Sequence, residues 1–168
     1  LRGQAAGIVG YGSVGRYLAD LLLALGMNVL VADHDPSAFD DCPAELDVVG
    51  LDELLATADV VFPLVPGESA TEGLIGADEL AKMKQGAMLI NVGRGELLDE
   101  RAVAAALDSG HLGALAMDVG QAADQRPSPE LAGRRGVVAT PHLGGLTPEN
   151  ADAQAASSVE QVQAMIDG

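Results

Sequence analysis

Gly10-Tyr11-Gly12-Ser13-Val14-Gly15 has the spacing Gly-x-Gly-x-x-Gly, which can hold a pyrophosphate against backbone N–H groups. The motif is weak alone and gains meaning from three neighbours. An apolar run, Ala5 to Val9, precedes it, and apolar residues at helical spacing follow from Val14 to Leu25. The third neighbour is an acid, Asp33, about 20 residues further on. In this setting Gly10 permits the tight turn, Gly12 admits a pyrophosphate, and Gly15 lets helix and strand pack closely. The first N–H groups of the helix then face the phosphates. Asp33 closes a second apolar run, Val29 to Ala32, where a carboxylate can accept hydrogen bonds from both ribose hydroxyls and would repel a 2′-phosphate. The expected cofactor is therefore NAD rather than NADP. Arg16, on the first helical turn, can be read as a pyrophosphate ligand or as a solvated surface residue.

The elements that must position this turn alternate along the chain. Strands are expected over Ala5–Val9, Val29–Ala32, Val60–Val65, Ala87–Val92, Leu115–Val119 and Val137–Ala139, with Pro63 suggesting that the third ends early. Helices are expected over Val14–Leu25, Leu51–Ala56, Ala77–Met83, Asp99–Leu107 and Thr147–Ile166. Asp99 and Thr147 are the expected caps, and Pro148 suits a first helical position. Asp35 to Val49 and Gln121 to Gly136 read as irregular segments broken by prolines. The order β-α-β, repeated, predicts a doubly wound parallel sheet of the Rossmann type, with residues 1–168 forming one dinucleotide-binding domain.

Composition agrees with such a domain. Apolar residues make up 48% of the 168 and aromatic ones only 2%, so the core must be aliphatic, as buried parallel strands are. The net charge of −16 leaves no basic stripe for nucleic acid and none for an anionic membrane surface. It favours solubility; the many aspartates and few lysines also hint at a high-salt host. No apolar stretch is long enough to span a bilayer, and no charged start precedes an apolar segment, so neither a membrane span nor a signal peptide is expected. Cys42 is the single cysteine, which excludes an internal disulfide and fits a reducing cytoplasm. The three histidines are dispersed, so no metal site is expected.

Several blocks in one order resemble the NAD domain of the D-isomer-specific 2-hydroxyacid dehydrogenases. They are Gly7-Ile8-Val9-Gly10-Tyr11-Gly12-Ser13-Val14-Gly15-Arg16, Leu51-Asp52-Glu53-Leu54-Leu55, Gly73-Leu74-Ile75-Gly76 and Met83-Lys84-Gln85-Gly86-Ala87, followed by Ile90-Asn91-Val92-Gly93-Arg94-Gly95-Glu96-Leu97-Leu98-Asp99 and Thr140-Pro141-His142-Leu143-Gly144-Gly145. Together they cover essentially the whole chain. In that family the NAD domain is inserted within a second, substrate-binding domain. The resemblance implies that this chain is the insert without the substrate domain, inactive or weak in isolation.

What the resemblance implies about chemistry is hydride transfer between NAD and a small D-2-hydroxy acid or 2-oxo acid. By its Asn-x-x-Arg-Gly setting, Arg94 matches the arginine whose guanidinium clamps the substrate's carboxylate and carbonyl. His142 matches the acid–base histidine, a residue whose ordinary pKa of about 6.5 suits proton transfer near neutrality. Counted without gaps from Arg94, Gln121 stands where the family's glutamate is expected, so an amide would replace a carboxylate that holds the imidazolium. Val65, Pro66, Val92, Gly93, Gly144 and Gly145 are implied to line the cofactor, and Asp118 to meet the nicotinamide carboxamide. Leu64 stands where the family often has histidine. His34 is read as lying near the adenosine ribose and His111 as a helix-end residue. A homodimer through this domain is implied, involving the segment near residues 99 to 115 and the flanking helices.

Gln121 and the missing domain keep other readings open. One is a non-catalytic module that senses NAD or binds partners, as corepressor relatives do; another is a structural remnant. Formate- and phosphite-oxidising enzymes resemble the same family.

Overall fold

Every residue of the first strand, β1 (Ala5–Val9), is buried, as an aliphatic strand covered on both faces must be. It belongs to a computed structural model that describes residues 1–145 together with residues 147, 150, 156 and 163. The other strands are β2 (Asn28–Ala32), β3 (Leu46–Val48), β4 (Val60–Pro63), β5 (Ala87–Asn91), β6 (Leu112–Met117) and β7 (Val137–Ala139). They form one sheet in the order β3-β2-β1-β4-β5-β6-β7, and every pairing is parallel. The helices are α1 (Ser13–Ala24), α2 (Leu51–Thr57), α3 (Ala77–Lys82), α4 (Glu100–Asp108) and α5 (Pro129–Ala132). This is the doubly wound α/β sheet that the alternation of elements predicts.

Strand alternation sorts the core into two layers. On one face Ile8, Val29, Val31 and Phe62 pack against Ala19 and Leu22 of α1. On the other, Val61, Leu89 and Leu115 pack against Leu54 and Leu55 of α2, Leu80 of α3 and Val103 of α4. The chain runs from β1 out to β3, then returns to lay β4 on the other side of β1. That reversal opens a crevice at the carboxyl ends of β1 and β4, where ligands of such sheets bind.

Four local outcomes differ from, or sharpen, the sequence expectation. The segment Asp35–Val49 is not wholly irregular: it holds a 3-10 turn at Pro36–Phe39 and the edge strand β3, three residues long. So short a strand carries no readable periodicity. Strand β6 starts at Leu112 rather than Leu115 and ends at Met117. Gly113 is the extra residue where the register steps from Ala87↔Leu112 to Met88↔Ala114, and a Cβ on it would overlap the Gly86 carbonyl. The segment Gln121–Gly136 contains the single turn of α5. Pro63 does close its strand, as expected. The Leu64 N–H donates to the Val9 carbonyl, so the missing Pro63 N–H would point to β5, whose ladder with β4 has already stopped at Val61↔Leu89. The helix expected over Thr147–Ile166 lies outside the described residues except at the isolated positions named above.

The start of β1 is pinned by Asp59. Its carboxylate accepts the Ala5 N–H at 2.8 Å and pairs with the Lys84 ammonium at 2.9 Å, while its own N–H donates to the Ala5 carbonyl at 2.8 Å. The Ala5 N–H bond and then the Lys84 contact hold this carboxyl below the usual aspartate range. A depressed native pKa stabilises the fold above the unfolded value of about 3.9, and that stability drains away as the pH falls through the native value. Asp59→Ala is expected to cost about 1 kcal/mol at neutral pH, because a buried N–H loses its acceptor at a partly screened site. Urea melts should show this difference near pH 7 and little of it near pH 2; an equal difference at both values would rule the account out.

Candidate functional site

Because all strands run one way, the segments leaving their carboxyl ends emerge at one edge of the sheet. Those segments carry Gly10–Gly15 after β1, Asp33 after β2, Leu64–Pro66 after β4, Val92–Arg94 after β5, Asp118 after β6 and Thr140–Gly145 after β7. Residues far apart in the chain thus share one rim.

At the glycine turn, Gly10 has φ 104°, a conformation L side chains rarely adopt, and its N–H donates to the Ala32 carbonyl at 2.8 Å. Gly15 lies so close below that a Cβ would overlap the Gly10 carbonyl oxygen. A Cβ on Gly12 would meet no protein atom within 4 Å, which leaves its backbone open to a ligand. As N-cap of α1, Gly12 has no side chain to take the first-turn N–H groups. Asp33 accepts the Tyr11 N–H at 2.7 Å on one oxygen and the Asp35 N–H at 3.0 Å on the other. Acceptor capacity remains on Oδ2, which takes one N–H, for a ribose hydroxyl. Uncapped N–H groups, open backbone and a ribose acceptor together fit a dinucleotide.

Two cavities flank this turn and share Val65 and Pro66 as a common wall. One, of about 440 Å³, is lined by Asp33, His34, Leu51 and Leu74 among others, and is placed for the adenosine half. The other, of about 280 Å³, lies between Val14, Leu64, Val92, Gly93 and Arg94. Leu64, where a polar contact was expected to be lost, lines this second cavity.

Arg94 is exposed beside that second cavity, and its Nη1 donates to the Gly93 carbonyl at 2.9 Å. The loop carrying it is held from below by Asn91, which is fully buried. The Asn91 side chain accepts the Gly93 N–H at 3.1 Å and donates to the Arg94 carbonyl at 2.8 Å. Sequence reasoning used Asn91 only as part of a motif. An amide closing an otherwise aliphatic strand was the available signal.

On the next strand end, Asp118 accepts the Thr140 hydroxyl at 2.5 Å, the Leu143 N–H at 2.8 Å and the Gly144 N–H at 2.6 Å. Burial alone would raise its pKa; the hydrogen bonds from Thr140, Leu143 and Gly144, with the nearby His142, outweigh that and hold it below the usual range. His142 itself stands at φ 57° in the turn that these bonds close.

Tyr11 and Arg16 do something the motif does not announce. Tyr11 is buried, stacks on Phe39 with ring centroids 5.8 Å apart, and carries the Arg16 guanidinium 4.7 Å above its ring. Arg16 also donates to the Ala38 carbonyl. Through these two contacts it bolts the 3-10 turn to the glycine turn. Burial first, then Cys42, raises the Tyr11 phenol pKa. His34 pairs with Asp33 at 3.1 Å on the rim of the larger cavity, and His111 contacts the Leu80 carbonyl at 2.8 Å, away from the rim.

Residues 1–144 match the family model of the NAD-binding domain of D-isomer-specific 2-hydroxyacid dehydrogenases. The chain belongs to that family. It is 40% identical over 153 residues to the (S)-sulfolactate dehydrogenase of Chromohalobacter salexigens, covering 89% of this chain and 48% of that protein. It is 39% identical to the glyoxylate/hydroxypyruvate reductase B of Erwinia tasmaniensis, covering 96% and 51%. Among solved structures, a glyoxylate reductase from Paecilomyes thermophila superposes with a TM-score of 0.88 at 32% identity, over 98% of this chain and 50% of that one. The D-lactate dehydrogenase of Aquifex aeolicus, solved with NAD and lactic acid, gives 0.84 at 29% identity, over 98% and 54%. The chain therefore spans about half the length of these relatives, the half that binds NAD. Nothing in these likenesses supports the partner-binding alternative.

Within this 2-hydroxyacid dehydrogenase domain, the expected Gln121–His142 pairing is not what the side chains make. The Gln121 amide donates to the Leu98 carbonyl at 2.7 Å, and its N–H donates to Glu100 at 3.4 Å. Gln121 thus braces the start of α4 and borders a groove with Glu100 and Arg101. The Gln121 side chain is thus engaged with the Leu98 carbonyl at the foot of α4.

Proposed function

We propose that the protein to which this domain belongs is an NAD-dependent oxidoreductase acting on a small D-2-hydroxy acid or its 2-oxo acid. The observation that supports it most is the emergence of Arg94 and His142 at the same sheet edge as the glycine turn and Asp33. Ser13, Val14 and Gly15 would hold the pyrophosphate by their N–H groups, and Asp33 the adenosine ribose. Val65, Pro66, Val92, Gly93, Gly144 and Gly145 would line the cofactor's path across the rim. NADH supplies the hydride. Arg94 would fix the substrate's carboxylate and carbonyl in a bidentate grip. His142 would deliver a proton to the carbonyl oxygen and recover it in the reverse direction. The relatives act on short acids, as their names state: sulfolactate, glyoxylate, hydroxypyruvate and lactate. A small 2-oxo acid is the corresponding substrate here. The protein is further read as a cytoplasmic homodimer, with one cofactor domain per chain.

Calorimetric titration tests the cofactor half of this proposal. NADH should bind about tenfold or more tighter than NADPH, a difference of about 1.4 kcal/mol. Asp33→Asn, which keeps shape and removes charge, should narrow the gap to about twofold. Equal affinity for both cofactors in the unaltered protein would remove Asp33 from the selective role. The substrate half is tested in the whole protein by NADH oxidation with glyoxylate, pyruvate and hydroxypyruvate; no turnover with any short 2-oxo acid would defeat it.

A further inference from the structure

Asp118 is one of two polar residues buried among the described residues, with 9% of its surface exposed. A buried carboxylate must be satisfied, and this one is satisfied by a single turn of chain. Its Oδ1 takes the Thr140 hydroxyl and the Leu143 N–H, and its Oδ2 takes the Gly144 N–H. Those donors lie on both sides of His142. The approach is so close that a Cβ on Gly144 would come within 2.8 Å of Oδ2, so glycine alone fits there without displacement.

The turn needs this support. His142 sits in the left-handed region at φ 57°, shared among described non-glycine residues only by Gln125. A non-glycine residue persists there only where its surroundings over-determine it. The His142 N–H donates to the Thr140 carbonyl at 3.0 Å, and the imidazole has no hydrogen-bond partner among the described residues. The backbone of His142 is therefore held by the bonds of this turn, with the Asp118 carboxylate nearby.

We infer that Asp118, acting with Thr140, is the positioning residue for His142: its carboxylate folds the 140–144 turn and thereby aims the imidazole at the rim. Charge-assisted hydrogen bonds are about twice as strong as neutral ones, which suits a clip that must hold a strained residue. Three of the carboxylate's roughly four acceptor positions are taken by the turn, leaving one on Oδ2 for a cofactor amide. Asp118 is then first a part of the histidine's mount. The inference rests on the reading of His142 as the acid–base residue.

The test uses the whole protein and Thr140→Val, which removes one donor and keeps the branched shape, with Thr140→Ser as the variant that retains the hydroxyl. Hydrogen exchange of the peptide spanning 140–145, kcat across pH, and NADH affinity are measured together. In Thr140→Val, exchange should rise about tenfold and kcat fall about tenfold, the effect of losing one hydrogen bond to a charged group. The pH profile of kcat should move, and NADH affinity should fall by less than kcat does. Thr140→Ser should restore all of these readings. Unchanged exchange and kcat in Thr140→Val overturns the inference, and so does a turn that loosens while kcat and its pH profile hold. His142→Asn, run alongside, separates the two ideas: if it too is fully active, the acid–base reading of His142 has failed.

Discussion

Gly15→Ala is expected to lower NADH affinity by about 100-fold and to destabilise the fold by about 1–3 kcal/mol, the usual range for forcing a methyl into a packed site. The new Cβ would overlap the Gly10 carbonyl oxygen and press on the Ile8 side chain at 3.3 Å. The first contact is backbone, so no side-chain rotation relieves it. Helix α1 must move away from β1, and its first-turn N–H groups move with it. Gly12→Ala is the informative comparison. Its Cβ meets no protein atom within 4 Å, so stability should be unchanged while NADH affinity falls, because the methyl occupies space through which the pyrophosphate approaches. Calorimetry and thermal melts on both variants read the two effects separately. Full NADH affinity in Gly12→Ala would mean that the cofactor does not cross this turn.

In the whole protein, His142→Asn should reduce kcat by about 10²–10⁴-fold, the contribution of a positioned general acid–base group. Asparagine tolerates the left-handed conformation that His142 occupies, so the turn itself should survive. NADH affinity should therefore remain within about twofold, since no cofactor contact is assigned to the imidazole. Stopped-flow reduction of a 2-oxo acid, with NADH binding followed by fluorescence, distinguishes loss of chemistry from loss of the site. A variant that turns over at the normal rate would show that the proton comes from elsewhere.

These three variants probe parts of the site that differed in legibility. The glycine turn is a local object: strand, turn and helix are contiguous, so spacing alone expresses the physical requirement. The same holds for Asp33 at the end of β2 and for Asp99, which caps α4 by accepting the Arg101 and Ala102 N–H groups at 2.9 and 3.2 Å. Arg94 and His142 became visible through resemblance, since neither has a local pattern that demands chemistry. Gln121 shows the limit of that method. Which way a loop residue turns depends on groups that the fold brings near it, here the Leu98 carbonyl.

What the sequence determined by itself was the alternation of elements, the parallel sheet that follows from it, and the cofactor seat written into one strand–turn–helix unit. These depend on periodicity and on backbone sterics within a few neighbouring residues. Only the tertiary structure decided the assignments of Arg16, Gln121, Asn91 and Asp118. Arg16 joins the Ala38 carbonyl, Gln121 joins the Leu98 carbonyl, and Asn91 and Asp118 become struts beneath the loops of Arg94 and His142. A buried polar group must find its partners wherever the fold brings them, and for Asp118 they lie more than 20 residues further along the chain.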